Sequence, residues 1–152
     1  MSCRAYPNEK SLLPESRIEM NINPYLSFNG DCEEAFRFYE QTFGGRIDSL
    51  MKYEGSPMSD WVPPEWGDKV MHVHLNLGSQ GLMGADSHPD NYQRPQGMSV
   101  TINLNDVAQS ERIFNALAEG GNITMPLQQT FWATRFGMVT DRFGTPWLIN
   151  CE

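Results

Sequence analysis

The feature that most constrains this chain is a frame that occurs twice. Phe28-Asn29-Gly30-Asp31 leads into a stretch of helical periodicity that stops at Gly44-Gly45, and Leu104-Asn105-Asp106 leads into another that stops at Gly120-Gly121. The glycine pairs lie 76 residues apart; at that offset Asn29 maps to Asn105, Phe38 to Phe114 and Ile47 to Ile123, while an offset of 75 fits better near the helix starts. Self-similarity at a fixed spacing marks a repeated supersecondary unit. Each copy has the same physical logic. Leu26 and Phe28, like Ile102 and Leu104, alternate with polar residues as a half-buried strand does. Asp31 and Asp106 are expected to cap the helices that follow. Cys32, Ala35, Phe36, Tyr39 and Phe43 make one helical face, as do Val107, Ser110, Phe114 and Leu117. Gly44 and Gly120 can take the left-handed conformation that ends a helix.

Three strand candidates follow each helix: 46–53, 69–77 and 81–86 in the first copy, and 123–129, 133–140 and 146–151 in the second. Asp141-Arg142-Phe143-Gly144 has the signature of a type I turn between the last two. The unit is therefore β-α-β-β-β, twice, and the fold class is α+β. Module one is expected over about 20–86 and module two over about 97–152. Residues 1–19 are polar and aperiodic and read as a loosely ordered arm, or as one that swaps onto a partner subunit. Two long connections, 54–68 with Trp61 and Trp66 and 86–97, have the length of lids or ligand walls. The tryptophan pair is expected either over a ligand face or against a partner.

Composition limits the function classes. The 152 residues suit one domain, and a net charge of −8 argues against nucleic acid and anionic membranes while admitting a cationic ligand. No apolar run reaches the ~20 residues of a membrane span, and the first residues contain no signal-peptide core. Cys3, Cys32 and Cys151 are too few and too scattered for a disulfide framework, which points to a reducing, cytoplasmic setting. There is no Gly-rich phosphate loop, nucleophile elbow or His-Glu-x-x-His motif.

The tandem arrangement resembles the vicinal oxygen chelate superfamily of glyoxalases, dioxygenases and bleomycin and fosfomycin resistance proteins. The closer likeness is to its PhnB-like branch. It rests on Pro24-Tyr25-Leu26-Ser27-Phe28-Asn29-Gly30 with Glu34-Ala35 and Phe38-Tyr39, on Met71-His72, on the run from Met125 to Trp132, on Arg135-Phe136-Gly137 and on Asp141-Arg142-Phe143-Gly144. The resemblance implies two modules whose sheets form an open curved surface around a cavity, and a homodimer. It also implies metal-ligand positions at Asn23 (or Pro24), His72, Ser99 and Leu148, of which only His72 is an ordinary zinc or iron ligand. A site needs about three such ligands, so no metal cofactor is favoured, with a divalent metal held through His72 as the alternative.

Alternation sorts the strand residues between two faces. Met71, Val73, Leu75, Leu77, Trp147, Ile149 and Cys151 are expected toward the helices. Asn23, Tyr25, Ser27, His72, His74, Asn76, Ser99, Thr101, Asn103, Leu148 and Asn150 are expected toward the trough. His72 and His74 point the same way and can hydrogen-bond a ligand, act as a general base or join in binding a metal. Trp132 could stack a ring and Arg135 clamp an anion; equally, Trp132 could pad a seam and Arg135 pair with an acidic residue. The expected ligand set is Tyr25, His72, His74, Thr101, Asn103, Trp132 and Arg135. The leading function is metal-independent binding of a small molecule, and the rival is a metal-dependent lyase or isomerase of glyoxalase type using His72 and His74.

Overall fold

The computed structural model describes residues 18–152, so most of the expected arm lies outside the described residues. Strand β1 (Tyr25–Phe28) leads into helix α1 (Cys32–Phe43), followed by β2 (Arg46–Lys52), β3 (Val70–Asn76) and β4 (Gly81–Asp86). The second half repeats the order with β5 (Val100–Leu104), α2 (Val107–Ala118), β6 (Asn122–Gln128), β7 (Arg135–Thr140) and β8 (Pro146–Cys151). Each half forms its own four-stranded mixed sheet, ordered β1-β4-β3-β2 and β5-β8-β7-β6, with a parallel pair at β1/β4 and β5/β8 and antiparallel pairs elsewhere. β1 and β5 are edge strands and are not hydrogen-bonded to each other.

The glycine pairs do two jobs. Gly44 takes positive φ, 76°, and caps α1, whereas α2 is capped by the extended Glu119, and Gly120, at φ 70°, sits in the turn just beyond it. The second glycine of each pair passes close to a strand of the same module. A Cβ on Gly45 would lie 2.6 Å from the Asn76 carbonyl oxygen, and one on Gly121 would collide with the Thr140 carbonyl. The repeat thus preserves a left-handed glycine at the helix end and a close backbone approach.

The helices cover one face of the sheets. Phe36 of α1 is buried with Phe28, Val73 and Leu75, and Phe114 and Leu117 of α2 with Val139, Trp147 and Ile149, in one continuous cluster. Tyr39 joins the halves. Its ring lies 5.2 Å from that of Trp147, and its hydroxyl donates to Asp141 Oδ2 at 2.5 Å. The same oxygen accepts from Trp147 Nε1 at 2.8 Å, while Asp141 Oδ1 accepts from the Phe143 and Thr145 amides and sets the β7–β8 turn. Across the helices, the Arg112 guanidinium donates to the Thr42 carbonyl.

Two expectations need correction. Asp106 caps α2 through the Gln109 amide, but the Asp31 side chain makes no cap bond on α1. Asp86 does that work from the end of β4. Its Oδ1 accepts from the Gly30 amide at 2.7 Å and the Cys32 amide at 3.1 Å, and its Oδ2 from the Val70 amide at 2.9 Å. This carboxylate is only 1% exposed, and the Tyr53 hydroxyl donates to the same residue's carbonyl. The second correction concerns β3. The pairing steps from Met51/His72 to Lys52/Val70, which leaves Met71 as an extra residue, so Val70 rather than Met71 enters the core below Val73.

Candidate functional site

The faces turned away from the helices carry the polar strand residues. On module one, β1 supplies Tyr25 and Ser27, β4 supplies Gly81 and Met83, β3 supplies His72 and His74, and β2 supplies Ser49 and Met51. The register sets Met83 beside both Tyr25 and His74, and Met51 beside His72. Tyr25 is 52% exposed, its ring 6.0 Å from that of His72. Partial burial holds the Tyr25 hydroxyl above its ordinary pKa, so it remains a proton donor at neutral pH.

His74 has an acidic partner on the neighbouring strand. Between the pairs Ile47/Leu75 and Ser49/His74, β2 has an extra residue, Asp48. A bulge re-aims the side chain it inserts, and here the Asp48 carboxylate reaches His74 Nδ1 at 2.6 Å. The other carboxylate oxygen accepts from Asn76 Nδ2 at 3.3 Å. The hydrogen bond to His74, then that to Asn76, holds the Asp48 carboxyl below the usual carboxylate range. The far side of the imidazole lies over Gly81, where a Cβ would stand 2.5 Å from Nε2. The sequence contains a trace of the bulge: the inward residues Ile47 and Leu50 are three apart, which strict alternation does not allow.

On module two, Thr101 and Asn103 are exposed on β5, and Asn103 Oδ1 accepts from Asn150 Nδ2 at 3.2 Å. Phe136 and Met138 share this face. Trp132 is 51% exposed and packs edge-on against Phe136 at 5.2 Å, with the almost fully exposed Phe131 on its other side. Arg135 is turned the other way. It pairs with Cys151 in the β7/β8 register, so it shares the helix face, where its Nε donates to Glu111 on α2 at 3.3 Å. Of the two roles weighed for Arg135, pairing with an acidic residue is the one observed.

The seven expected ligand residues do not gather in one hollow. A cavity of about 430 Å³ between β1 and the start of β5 takes Tyr25 together with Ser27, Arg94 and Ser99. A second, of about 600 Å³ along the free edge of β5, takes Thr101 and Asn103 with Asn23 and Gly81. Trp132 borders a third hollow at the β6–β7 loop. His72, His74 and Arg135 line none of these, and the two histidines sit instead on the open face of the first sheet. Of the expected metal positions, Asn23 borders the second hollow and Ser99 the first. Among the described residues no group of three or more His, Cys, Asp or Glu side chains could hold a metal ion, and Nδ1 of His74 is already engaged by Asp48.

The long β2–β3 connection treats its tryptophans differently. The Trp66 ring packs on the turn before α1, 3.2 Å from where a Gly30 Cβ would be, while Trp61 stays exposed. Cys32 and Cys151 are free and buried. Burial, with the nearby Asp86 carboxylate, pushes the Cys32 thiol well above its ordinary pKa, which leaves it a packing residue rather than a nucleophile. No helix of the described residues is long and apolar enough to cross a membrane.

Two curved four-stranded sheets, each backed by one helix and open on the other side, define a protein of the vicinal oxygen chelate fold. Comparison with known proteins narrows this. Residues 20–150 match the model of the family described as 3-demethylubiquinone-9 3-methyltransferase. Protein YjdN of Escherichia coli K12 is 32% identical over 139 residues, 86% of this chain and 95% of that one. The crystal structure of PA1353 from Pseudomonas aeruginosa is 48% identical with a TM-score of 0.82, covering 88% of this chain and 98% of the other. A PhnB protein from Bacillus cereus is 28% identical with a TM-score of 0.73, covering 88% and 100%. A bleomycin-binding protein of Streptomyces verticillus shares the fold alone, at 17% identity and a TM-score of 0.55 over 90% and 99%. The chain belongs to the PhnB-like branch of the vicinal oxygen chelate superfamily.

Proposed function

We propose that this chain is a metal-independent small-molecule-binding protein whose ligand lies on the open face of module one. The observation that carries the reading is the make-up of that face. Tyr25, His72 and an Asp48-held His74 stand over Met51 and Met83, a mixture of flat rings, soft apolar surface and a few fixed polar groups typical of ligand sites. A polar face of this kind is expensive to bury dry, so it suits a ligand-filled or wet surface. The bleomycin-binding protein is a fold relative that holds a small molecule, and the net charge of −8 favours a cationic one.

A homodimer is part of this reading. Among the described residues, edge strands β1 and β5 have unpaired sides, and Met20, Ile22, Met98, Phe131 and Trp132 are all exposed. Apolar surface on that scale supports coverage by a second copy. Two buried free thiols suit a cytoplasmic setting. The site that cofactor-binding folds use for phosphates, a helix N-terminus after the first strand, is filled in module one by the Asp86 carboxylate.

The test has two arms. Thermal shifts of the untagged protein with a panel of cationic, neutral and anionic small molecules should show stabilisation by at least one class; no shift with any would count against binding. Metal analysis of the same protein should find substoichiometric Zn, Ni, Mn and Fe. Stoichiometric metal that is lost in His72→Ala would overturn the metal-free reading in favour of a metal-dependent lyase or isomerase.

A further inference from the structure

We propose that the hollow between β1 and the start of β5 is a second binding site, for small organic carboxylates, in which Arg94 holds the anion. It goes beyond the module-one reading and shares with that face only the β1 side chains Tyr25 and Ser27. The hollow encloses about 430 Å³, the size of a small-molecule site. Part of its wall is the connection between the modules, through Gln93, Arg94 and Met98. That long connection therefore serves as a ligand wall, one of the roles its length admits.

The charge and chemistry of the lining identify the ligand. The chain has 19 Asp and Glu against 11 Lys and Arg, yet no acidic residue lines this hollow. Its polar groups can donate: the hydroxyls of Ser27 and Ser99, and that of Tyr25, which burial keeps protonated at neutral pH. Arg94 adds a full positive charge. Among the described residues no carboxylate stands within ion-pair distance of Arg94, whereas Arg37 and Arg135 both have such partners. Its Nε lies 3.9 Å from where a Gly144 Cβ would be, so the guanidinium rests on the β7–β8 turn. The acid of that turn, Asp141, is buried and accepts from four donors of its own, on Tyr39, Phe143, Thr145 and Trp147. The N–H fork of Arg94 is thus left for another partner, and a guanidinium fork matches a carboxylate in shape and charge. Leu26, Met98, Val100 and Pro146 supply apolar surface to the same hollow. They favour an anion with an organic body over inorganic phosphate.

The probes are benzoate and benzamide, which share a ring and differ in charge. They are titrated at neutral pH and low ionic strength, where screening is weak, into the full chain carrying ¹³C at the methionine methyl groups. The wild type is expected to bind benzoate more tightly than benzamide by about tenfold or more, the scale of a charge-assisted contact. The Met98 methyl signal, assigned through Met98→Leu, should move under the ring current of bound benzoate, while those of Met51 and Met83 on the module-one face stay in place. Arg94→Gln should remove the preference. Arg46→Gln makes the same change in net charge outside the hollow and should keep it. Equal affinities for the two probes in the wild type, a preference that survives Arg94→Gln, or one that Arg46→Gln also removes would overturn the proposal. Benzoate that moves Met51 or Met83 in place of Met98 would overturn it too, as would no binding of either probe. The thermal-shift panel then decides separately whether the module-one face binds a ligand.

Discussion

Removing the Asp86 carboxylate should be among the most damaging single changes in this protein, and removing that of Asp31 among the least. Asp86 is buried and accepts three backbone N–H bonds, from Gly30, Cys32 and Val70. In Asp86→Ala the loss of a helix cap costs ~0.5–2 kcal/mol, and each buried donor left unpaired costs ~1–3 kcal/mol. Those contributions overlap, because water entering the vacated space satisfies part of the deficit; a net loss of about 3–5 kcal/mol is expected. For a chain of this size each kcal/mol lowers Tm by about 2–4 °C, so a fall of roughly 6–20 °C should be seen. Asp31, at the position where a cap is expected, makes no such bond. Its carboxyl is held above the ordinary value, chiefly by burial. A raised carboxyl favours the fold when protonated and loses that contribution as the pH rises, so removing its charge at pH 7 sacrifices nothing electrostatic. Asp31→Ala should stay within ~0.5 kcal/mol of the wild type. Urea and thermal unfolding followed by circular dichroism measure both. The reasoning is refuted if Asp86→Ala costs under about 1 kcal/mol or if the two variants are equally destabilised.

Two further outcomes follow from single side chains. Tyr39→Phe deletes the hydroxyl joining the modules and leaves Asp141 Oδ2 with Trp147 alone; the expected loss is ~1–3 kcal/mol by urea unfolding. Because burial raises the Tyr39 pKa far above its ordinary 10.0, the folded state holds that proton more tightly than the unfolded one. Its contribution is complete below about pH 10 and shrinks as the pH rises further, so the wild type should lose stability in alkali more steeply than Tyr39→Phe. Arg135→Ala breaks an exposed pair on the helix face and should cost at most ~1 kcal/mol, leaving any ligand-induced thermal shift unchanged; loss of that shift would place Arg135 on the ligand surface after all.

Much of the fold was legible because its signals are local. Strand β4 and strand β8 match the expected bounds, and the other long strands agree to within two residues at either end. The glycine pairs mark both helix ends. Arg135 was expected among the ligand residues and lies instead on the helix face, although counting back by twos from the buried Val139 would have placed it there. Asp48 left a weaker trace, the three-residue step from Ile47 to Leu50. The cap by Asp86 left none, since 54 residues separate it from the Cys32 amide it binds.

The sequence by itself determined that this chain is two copies of one β-α-β-β-β unit, with a helix-side core and a polar opposite face. Repeats, helical periodicity and strand alternation all depend on neighbours along the chain. Only the tertiary structure decided which carboxylate caps α1, which acid stands against His74 and how the candidate ligand residues divide among separate hollows. Those outcomes depend on strand register and on one extra residue in β2. A shift of a single residue turns a side chain to the other face of the sheet, and no local pattern encodes what then stands opposite it.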